Sequence, residues 1–390
     1  MAPRTTATVR LKTDRIGRRP WIYRKMVERP EGVGDGELVA VVDKQGRPVG
    51  RGFYNSRSQI GLRLISRKVE DDPDFIRRAL RDAVYLRREV LDLDHYTDAY
   101  RVVNSEGDGL SGLIVDRYAG DLVIEIFSLG FWKLVPYLSE LLRDFFDGAR
   151  VHVRADERVQ RDEGFRAPPP ERGAETVVHE HGVLFHVDLS AGHKTGFFCD
   201  QRDNRHALAQ HVRNANVLDL CCYTGGFALY ARRLGGAGRV LAVDLDEKAI
   251  EVAKRNARLN DVTIEWHHAD VFDFMRREET RSVRWDVIVL DPPKLVSHKA
   301  ERARGEAKYR DLNAGAISLL KNNGLLLTCS CSGLVSEQDF LALLQRSAAR
   351  LQRDLQILSV AGPAPDHPFV TEFPEGRYLK AVLCAVRQAR

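Results

Sequence analysis

The sequence predicts a doubly wound α/β domain at its C-terminal end, preceded by a small β domain and a central mixed α+β domain. Strands and helices alternate regularly from about residue 190, and short apolar runs separated by glycine fill the first 70 residues. The length of 390 residues also exceeds the usual size of one domain. We therefore expect domains at residues 1–70, 71–188 and 189–390.

The composition is typical of a globular protein, with 44% hydrophobic and 29% charged residues. No apolar run approaches the roughly 20 residues of a membrane span, and no apolar block of a secretory signal follows the first residues. The six cysteines show no C-x-x-C spacing of a structural metal site. These features predict a cytoplasmic protein with reduced thiols, no bound metal and no membrane partner.

Positive charge is concentrated at the start of the chain. Residues 1–68 contain 16 Lys and Arg against 6 Asp and Glu, a local charge of +10, whereas the whole chain has a net charge of +5. Aromatic residues lie among these arginines, which favours stacking on bases and pairing with phosphates. The candidate RNA-binding residues here are Arg18, Arg19, Trp21 and Arg51. A solvated basic face with core aromatics is the alternative.

The order of elements follows from the apolar pattern. The first domain has strand-like runs at 37–42, 48–54 and 59–65, and a helix capped by residues 71–74 extends to about residue 91. The central domain combines strands near 101–104, 112–116, 122–127 and 151–154 with a helix at about 132–146. A linker at 161–173 and a hairpin at 176–187, turning at His181 and Gly182, complete this part.

The last domain shows the alternation most clearly. We predict strands at 217–220, 239–243, 263–267, 286–290 and 324–328, with helices at about 227–234, 247–259, 307–320 and 336–351. In such a doubly wound sheet, ligands bind at the carboxyl ends of the strands.

The first of these strands leads into a glycine turn of the kind that holds a nucleotide-like cofactor. Tyr223, Thr224, Gly225 and Gly226 form the turn, and the helix that follows directs unpaired N–H groups toward a ligand. A turn that merely joins strand to helix is the alternative. The turn also lacks the G-x-G-x-x-G spacing that accommodates a pyrophosphate, so S-adenosylmethionine is favoured over a dinucleotide.

Acidic residues end the strands beside this turn. Asp219 closes the first strand, and Asp244 ends the second, where a carboxylate can accept both hydroxyls of a ribose. Asp270 follows the third strand, the position at which methyltransferases often hold the adenine amino group. These residues join the glycine turn as candidate cofactor ligands.

The fourth strand ends in Asp291-Pro292-Pro293-Lys294. Two prolines fix a rigid backbone there and leave one carboxylate at the strand end, beside the expected position of the transferred methyl group. Asp291 is therefore a candidate for both catalysis and cofactor binding. Enzymes that methylate amino groups of bases have an aromatic residue after the prolines. Lys294 stands there instead, which counts against that reaction and adds a candidate RNA contact.

The fifth strand carries Cys329 and Cys331, and its expected neighbour is the fourth strand, so that both cysteines can face Asp291. A thiolate that adds to carbon 6 of cytosine makes carbon 5 nucleophilic enough to take a methyl group. A base then removes the proton from carbon 5. The alternative is two small apolar residues in a packed strand.

Taken together, these motifs resemble a known family over essentially the whole chain. Segments 18–22 and 50–54 resemble the PUA domain, a small RNA-binding β barrel. The chain as a whole resembles the bacterial large-subunit (23S) ribosomal RNA cytosine-C5 methyltransferases with an N-terminal PUA domain, through segments 193–205, 222–227, 291–294, 328–333, 366–368 and 375–380.

The resemblance implies a class I methyltransferase domain that uses S-adenosylmethionine, with Phe198, Gln201 and Arg202 closing over the cofactor. It implies a nucleophile in Ser-Cys-Ser, which matches Cys331. Related RNA methyltransferases have the nucleophile in the sequence Thr-Cys-Ser, which matches Cys329 instead. Residues two positions apart on a strand lie on the same face, so periodicity does not decide whether Cys329 or Cys331 is the nucleophile. We prefer Cys331, because it is expected to lie closer to the mouth of the site.

The expected partner is 23S ribosomal RNA, either free or in a large-subunit particle, and a homodimer is a further alternative. The target base is expected to flip out of its stack into the cleft between the fourth and fifth strands. Two other functions stay open at this point. One is methylation of a guanine nitrogen or of uridine carbon 5, and the other is RNA binding without catalysis.

Overall fold

The computed structural model describes residues 4–5, 7–68, 72, 74–169, 173–190 and 197–389. The chain divides into two compact units. The first unit comprises Met1–Val178, Val187–Cys199 and Pro365–Gly376, and the second comprises His179–His186, Asp200–Ala364 and Arg377–Arg390. The predicted cap at 71–74 lies partly outside the described residues, and so does the motif at 193–205, of which residues 193–196 are not described.

The first unit begins with a sheet whose described strands are ordered β1-β3-β4-β5-β2. Glycine is required where β4 pairs with β5, because a Cβ at Gly52 would lie 2.4 Å from the carbonyl oxygen of Arg63. Alternate valines such as Val39 and Val41 are buried in the core of this small domain. The strands are β1 (Ala7–Arg10), β2 (Trp21–Tyr23), β3 (Leu38–Val42), β4 (Pro48–Tyr54) and β5 (Ile60–Ser66).

A second sheet of the same unit has the order β6-β7-β8-β9, and helices pack against it. Its elements are α1 (Phe75–Tyr85), which continues as a π-helical turn at Leu86–Val90, β6 (Ala99–Asn104), β7 (Leu113–Tyr118), β8 (Asp121–Ile126), α2 (Leu129–Lys133), α3 (Val135–Phe145), β9 (Arg150–Arg154) and α4 (Glu157–Glu163). Because α2 and α3 cross over between β8 and β9, these two strands are parallel.

One hydrophobic cluster joins the two halves of the first unit. Phe53 of β4 packs edge-to-face on Phe131 of α2, with ring centroids 5.1 Å apart, and both rings are buried. Leu38 and Ile65 belong to the same cluster. The predicted boundary at residue 70 stays a prediction, and the cluster contains residues from both sides of it.

A hairpin of β10 (Glu175–Glu180) and β11 (Val183–Asp188) turns at His181 and Gly182, both with positive φ. The second unit then continues with α5 (Arg202–Ala209), β12 (Asn216–Leu220), α6 (Gly226–Arg233), β13 (Arg239–Asp244), α7 (Glu247–Leu259), β14 (Glu265–His268), α8 (Val271–Thr280), β15 (Trp285–Leu290), α9 (Arg302–Ser318), β16 (Leu320–Ser330), α10 (Glu337–Ala349), β17 (Arg353–Ala361) and β18 (Lys380–Gln388).

Within the described part of the second unit, the strand order is β14-β13-β12-β15-β16-β18-β17. The strands from β14 to β16 are parallel, and β18 is antiparallel to both of its neighbours. The chain moves outward from β12 and returns to β15 on its other side, so the strand order reverses between these two strands. A ligand crevice is expected at the carboxyl ends of strands flanking such a reversal.

The predicted fold class is confirmed, and the differences are local. The sequence analysis assigned no element to β1, β2, α4, α5, α8, β17 and β18, and its single helix at about 132–146 covers α3 and only the last residues of α2. Pro136 explains the last error, because a proline has no backbone N–H and fits only the first turn of a new helix. Among the described residues, no helix combines the length and the apolar character needed to cross a bilayer.

Candidate cofactor and active site

Three predicted carboxylates lie at the carboxyl ends of neighbouring strands. Asp219 is the penultimate residue of β12, Asp244 ends β13, and Asp291 follows β15. Since β12 pairs with both of the other strands, the sheet places Asp219 between its two neighbours. Burial, together with the negative charges of Asp291 and Asp244, raises the pKa of Asp219 to about 8. The arrangement collects three carboxyl groups at one point of the sheet edge.

The glycine turn between β12 and α6 has an unusual backbone. Cys221, Tyr223 and Gly225 all have positive φ, at 62°, 49° and 86°. At Gly225 a side chain is also excluded by space, because a Cβ would lie 2.6 Å from the indole ring of Trp266. Left-handed conformations at non-glycine residues are costly and persist where the surroundings enforce them, often at functional sites.

Hydrogen bonds from neighbouring elements hold this turn in place. The backbone N–H of Tyr223 donates to Asp244 Oδ2 at 2.8 Å, and Asn256 Nδ2 donates to the carbonyl of Thr224 at 3.1 Å. On the far side, the backbone N–H of Ala228 in α6 donates to Asp219 Oδ2 at 3.0 Å. Asn256 is fully buried in α7 and was missed by the sequence analysis. Its signal is weak, because a polar residue within an amphipathic helix usually faces solvent.

A buried network supports the start of α6. Arg205 donates to Glu180 Oε1 through Nε at 3.0 Å and Nη2 at 2.6 Å, and the Tyr230 hydroxyl donates to the same oxygen at 2.8 Å. A Cβ at Gly226 would lie 3.1 Å from Arg205 Cδ, so the glycine allows this arginine to pass closely beneath the turn. Both glycines that the sequence singled out therefore have a packing reason as well as the predicted ligand role.

The charge of this site fits S-adenosylmethionine better than a dinucleotide. The sulfonium and ammonium groups of S-adenosylmethionine are cations, whereas a pyrophosphate would be repelled by the carboxylates of Asp244 and Asp291. Asp219 Oδ1 is also buried and has no hydrogen-bond partner among the described residues. A buried oxygen of this kind normally has a donor, and a bound cationic ligand would supply one or lower the cost of its charge.

Asp270 has a structural task in addition to its predicted role. It is the N-cap of α8, and its Oδ1 accepts hydrogen bonds from the backbone N–H groups of Phe272 at 2.9 Å and Asp273 at 3.2 Å. Asp244 likewise accepts a backbone hydrogen bond from Asp246 at 2.9 Å. The roles of both residues in cofactor binding stay predictions, and carboxylate oxygens can accept further bonds.

Gln201 lies beside Asp291. Its Nε2 donates to Asp291 Oδ2 at 3.0 Å, and its Oε1 accepts a hydrogen bond from Asn204 at 2.7 Å. Arg202, the next residue, is fully buried and lies 3.2 Å from the Asp203 carboxylate. Phe198 is half-buried and belongs to the first unit. The structure thus brings Gln201 to the predicted catalytic carboxylate.

The two candidate nucleophiles differ in accessibility. Cys329 lies within β16, opposite Ala381 of β18, and is fully buried. Burial raises the pKa of the Cys329 thiol well above its usual value. Cys331 follows the last residue of β16 and is half-buried. A nucleophile must be reached by its substrate, so this difference favours Cys331, which periodicity alone did not separate from Cys329.

Among the predicted RNA-binding residues, Arg51 has a buried side chain, which counts against its predicted role. It is only 2% exposed, its guanidinium lies 5.9 Å from the centre of the Phe75 ring, and its Nε donates to the carbonyl of Lys68 at 3.3 Å. A phosphate cannot reach a side chain that is buried in this way. The sequence analysis overlooked that Phe75 of α1 covers the Arg51 side chain.

The remaining RNA candidates are more accessible. The Arg18 side chain is 85% exposed and lies 3.6 Å from Glu372, and Arg19 pairs with Glu375. Trp21 is half-buried, packs edge-to-face on Phe373, and donates from Nε1 to Glu106 at 2.8 Å. Lys294, in the second unit, is exposed. These four residues stay predictions.

Comparison with known proteins agrees with this architecture. A family model described as a PUA-like domain matches residues 12–67, and one described as a methyltransferase domain matches residues 211–367. The ribosomal RNA large subunit methyltransferase I of Aeromonas salmonicida is 38% identical over 95% of this chain and 96% of its own length. The protein of that name from Enterobacter sp. is 36% identical over 99% of this chain and 100% of its own.

The chain belongs to the ribosomal RNA large subunit methyltransferase I family. Solved structures with the same fold include SMU.776, a methyltransferase complexed with SAH, at a TM-score of 0.80, 18% identity, and coverage of 98% of this chain and 100% of that chain. A SAM-dependent methyltransferase from Streptococcus mutans gives a TM-score of 0.78 at 18% identity, covering 97% and 100%. The PUA-like domain, the methyltransferase domain and the cofactor S-adenosylmethionine, all predicted from the sequence, are confirmed.

Proposed function

We propose that this protein methylates carbon 5 of a cytosine in the RNA of the large ribosomal subunit, with Cys331 as the nucleophile. Membership of a family whose members are named for ribosomal RNA methylation supports the substrate class. The observation that carries the choice of reaction is the half-buried Cys331 at the end of β16, the strand paired with the one that leads to Asp291. A thiol in this position has no purpose in methylation of a nitrogen, which already has a lone pair.

The thiolate of Cys331 solves a specific chemical problem. Carbon 5 of cytosine is a weak nucleophile, so it does not attack an electrophilic methyl group unaided. When the sulfur adds to carbon 6, the C5=C6 double bond opens and its electron pair becomes available at carbon 5. S-adenosylmethionine supplies the methyl group. Loss of the proton from carbon 5 then restores the double bond, the C–S bond breaks, and the Cys331 thiolate is regenerated.

Asp291 is assigned a role in recognising the base. Its carboxylate is held by Gln201, and an acceptor at this position can bind the exocyclic amino group of cytosine. Uridine has a carbonyl oxygen there, which a carboxylate repels. A site built to bond a substrate N–H discriminates strongly against an analogue that lacks it. This contrast supports cytosine over uridine, for which the same thiol addition would otherwise serve.

The first unit is assigned to RNA binding through its PUA-like domain. Arg18, Arg19 and Trp21 lie near one another in sequence and retain exposed or half-exposed side chains. The acidic residues beside them, Glu372 and Glu375, are exposed enough for phosphates to compete for the arginines. On this proposal the protein acts in the cytoplasm, on ribosomal RNA either free or within a subunit particle.

Nucleoside mass spectrometry of 23S ribosomal RNA tests the proposal. RNA from a strain that lacks the gene should have lost one 5-methylcytidine, and the wild-type gene should restore it. A gene encoding Cys331→Ala should not restore it, whereas Cys329→Ala should. Loss of a different methylated nucleoside would identify the target as guanine or uridine. An unchanged nucleoside profile would contradict enzymatic activity altogether and favour a binding protein.

A further inference from the structure

Lys380 is a buried lysine that the reaction as described does not use. It is the first residue of β18 and lies opposite Ser330 in the antiparallel pairing with β16. Its side chain is almost completely buried, and its Nζ donates to the carbonyl oxygens of Ser332 at 2.7 Å and Tyr378 at 2.9 Å. Since Ser332 directly follows Cys331, the ammonium group is anchored one residue away from the proposed nucleophile.

The charges around Lys380 couple it to this thiol. Burial lowers the pKa of Lys380 to about 8, and a negative charge on Cys331 acts in the opposite direction. The other charged groups that face Lys380 are Arg377, Asp339 and Glu337. Glu337 already pairs with Arg377 at 2.7 Å, and Asp339 pairs with Arg302 at 2.9 Å, which weakens their pull on the lysine.

On the side of the thiol, Tyr309 and Cys329 are neutral near neutral pH. The Tyr309 hydroxyl shares a hydrogen bond of 2.9 Å with Ser332 Oγ, and burial raises the pKa of Tyr309 to about 12. Cys329 faces Cys331 from within β16 and stays protonated, because burial raises its pKa well above the usual value. Asp291 and Asp200 are the acidic groups near Cys329, and they disfavour a second negative charge there.

We propose that Lys380 is a positioning residue that holds Cys331 as a thiolate, with its ammonium group fixed at the backbone next to this cysteine by the carbonyls of Ser332 and Tyr378. The S–H bond breaks, the proton passes to solvent, and the resulting thiolate pairs with the ammonium ion. A lysine next to a cysteine is a known means of lowering a thiol pKa. The inference rests on the proposed function in so far as Cys331 is the nucleophile, but the ion pair itself can be tested without any methyl transfer.

The test is the pH dependence of Cys331 alkylation by iodoacetamide in the full-length protein, followed by peptide mass spectrometry from pH 5.5 to 10. Only the thiolate reacts, so the midpoint reports the thiol pKa. In Lys380→Met the midpoint should move upward by about 1 unit or more, the size expected from the loss of an adjacent opposite charge. In Lys380→Arg, which keeps the charge, most of that shift should be absent.

Arg377→Gln is the matched control, because it removes a neighbouring cation that already pairs with Glu337. Its alkylation midpoint should stay close to that of the wild type. Circular dichroism spectra and melting temperatures identify any variant that fails to fold. If Lys380→Met does not fold, the comparison relies on Lys380→Arg, for which we expect an alkylation midpoint near that of the wild type and retained turnover. Coincident profiles for wild type and Lys380→Met, or equal shifts in Lys380→Met and Arg377→Gln, would overturn the inference.

Activity measurements separate this inference from the proposed function. Lys380→Met should lower kcat at neutral pH with little change in KM for RNA, and the loss should diminish as the pH rises. If Cys331→Ala stays active, the proposed nucleophile is wrong, whereas the alkylation profile still decides whether Lys380 controls that thiol. If Cys331→Ala is inactive and the profiles coincide, the nucleophile stands and the role of Lys380 falls.

Discussion

The first unit and the cofactor end of the second unit treat buried charge in opposite ways. In the first unit, the buried Arg101 guanidinium pairs with Asp116 through two hydrogen bonds of 2.8 and 3.0 Å, and Arg87 pairs with Asp108 in the same manner. In the second unit, Asp219 has two further carboxylates, Asp244 and Asp291, as electrostatic neighbours, and its pKa rises to about 8. Charge is matched in these pairs of the first unit, and in the Arg205–Glu180 pair of the second, whereas the cofactor end of the second unit collects carboxyl groups without a cation.

This contrast separates structural from functional use of charge. A buried pair satisfies both partners and fixes the position of its elements, although burying it costs solvation. A buried cluster of like charges weakens the ligand-free fold and persists where a ligand of opposite charge completes it. The collected carboxyl groups therefore locate the cofactor in the second unit, whereas the paired arginines of the first unit have a structural role.

The largest effect is expected from Cys331→Ala. Without the thiolate, carbon 5 is not activated, so methyl transfer should fall on the order of 10⁴-fold or more, as for loss of other enzymatic nucleophiles. Binding of S-adenosylmethionine, measured by calorimetry, should be unchanged. The control is Cys329→Ala, which should keep most activity because Cys329 is fully buried. If Cys331→Ala is active and Cys329→Ala is inactive, Cys329 is the nucleophile.

Next in size is the breaking of a matched pair. Arg101→Met leaves the Asp116 carboxylate buried without its partner, which should lower the free energy of unfolding by about 3–5 kcal/mol. Denaturant unfolding followed by circular dichroism measures this loss. The matched control is Arg47→Met, because Arg47 pairs with Asp43 but has an exposed side chain. Equal losses in both variants would contradict the structural role of the buried pair.

Asp219→Asn should have a smaller effect, and in opposite directions on binding and stability. The affinity for S-adenosylmethionine should fall by roughly 10- to 100-fold, the loss expected when a charged hydrogen bond is removed. The ligand-free protein should become more stable at pH 8, with a melting temperature higher by about 2 °C or more.

The stability that the ligand-free protein gains from Asp219→Asn depends on pH in a defined direction. The folded protein keeps the Asp219 proton up to about pH 8, whereas the unfolded chain loses it near pH 4, so the wild-type protein loses stability as the pH rises between these values. Melting temperatures of the two proteins should converge at pH 4 and separate progressively toward pH 8. A constant difference over this range would show that Asp219 is not the titrating group.

The smallest effect concerns RNA binding. Arg18→Gln should lower the slope of log affinity against log salt by about 0.7–0.9, the value for one lost phosphate contact. Deletion of residues 1–68 is not a suitable test of RNA binding, because it would remove Phe53, which packs on Phe131 in the core of the first unit. Arg51→Gln serves as a contrast, since a buried guanidinium should leave the salt slope unchanged in protein that folds. An unchanged salt slope for Arg18→Gln would show that this arginine is solvated and makes no phosphate contact.

Local sequence patterns determined much of this protein. The alternation of apolar runs and amphipathic segments predicted the parallel sheet, and parallel strands necessarily bring their carboxyl ends to one edge. That rule was sufficient to place Asp219, Asp244 and Asp291 together. The shortened glycine turn was likewise sufficient to favour S-adenosylmethionine, because it depends only on residues adjacent in the chain.

The tertiary structure decided what depends on neighbours distant in sequence. Cys329 and Cys331 share one strand periodicity, and only the end of β16 at Ser330 buries one and leaves the other accessible. Arg51 and Lys380 are cations in a basic chain, yet α1 shields the first and β18 brings the second to the backbone beside Cys331. Burial and charge pairing are properties of packed surfaces, and no local pattern in the sequence encodes which surfaces will meet.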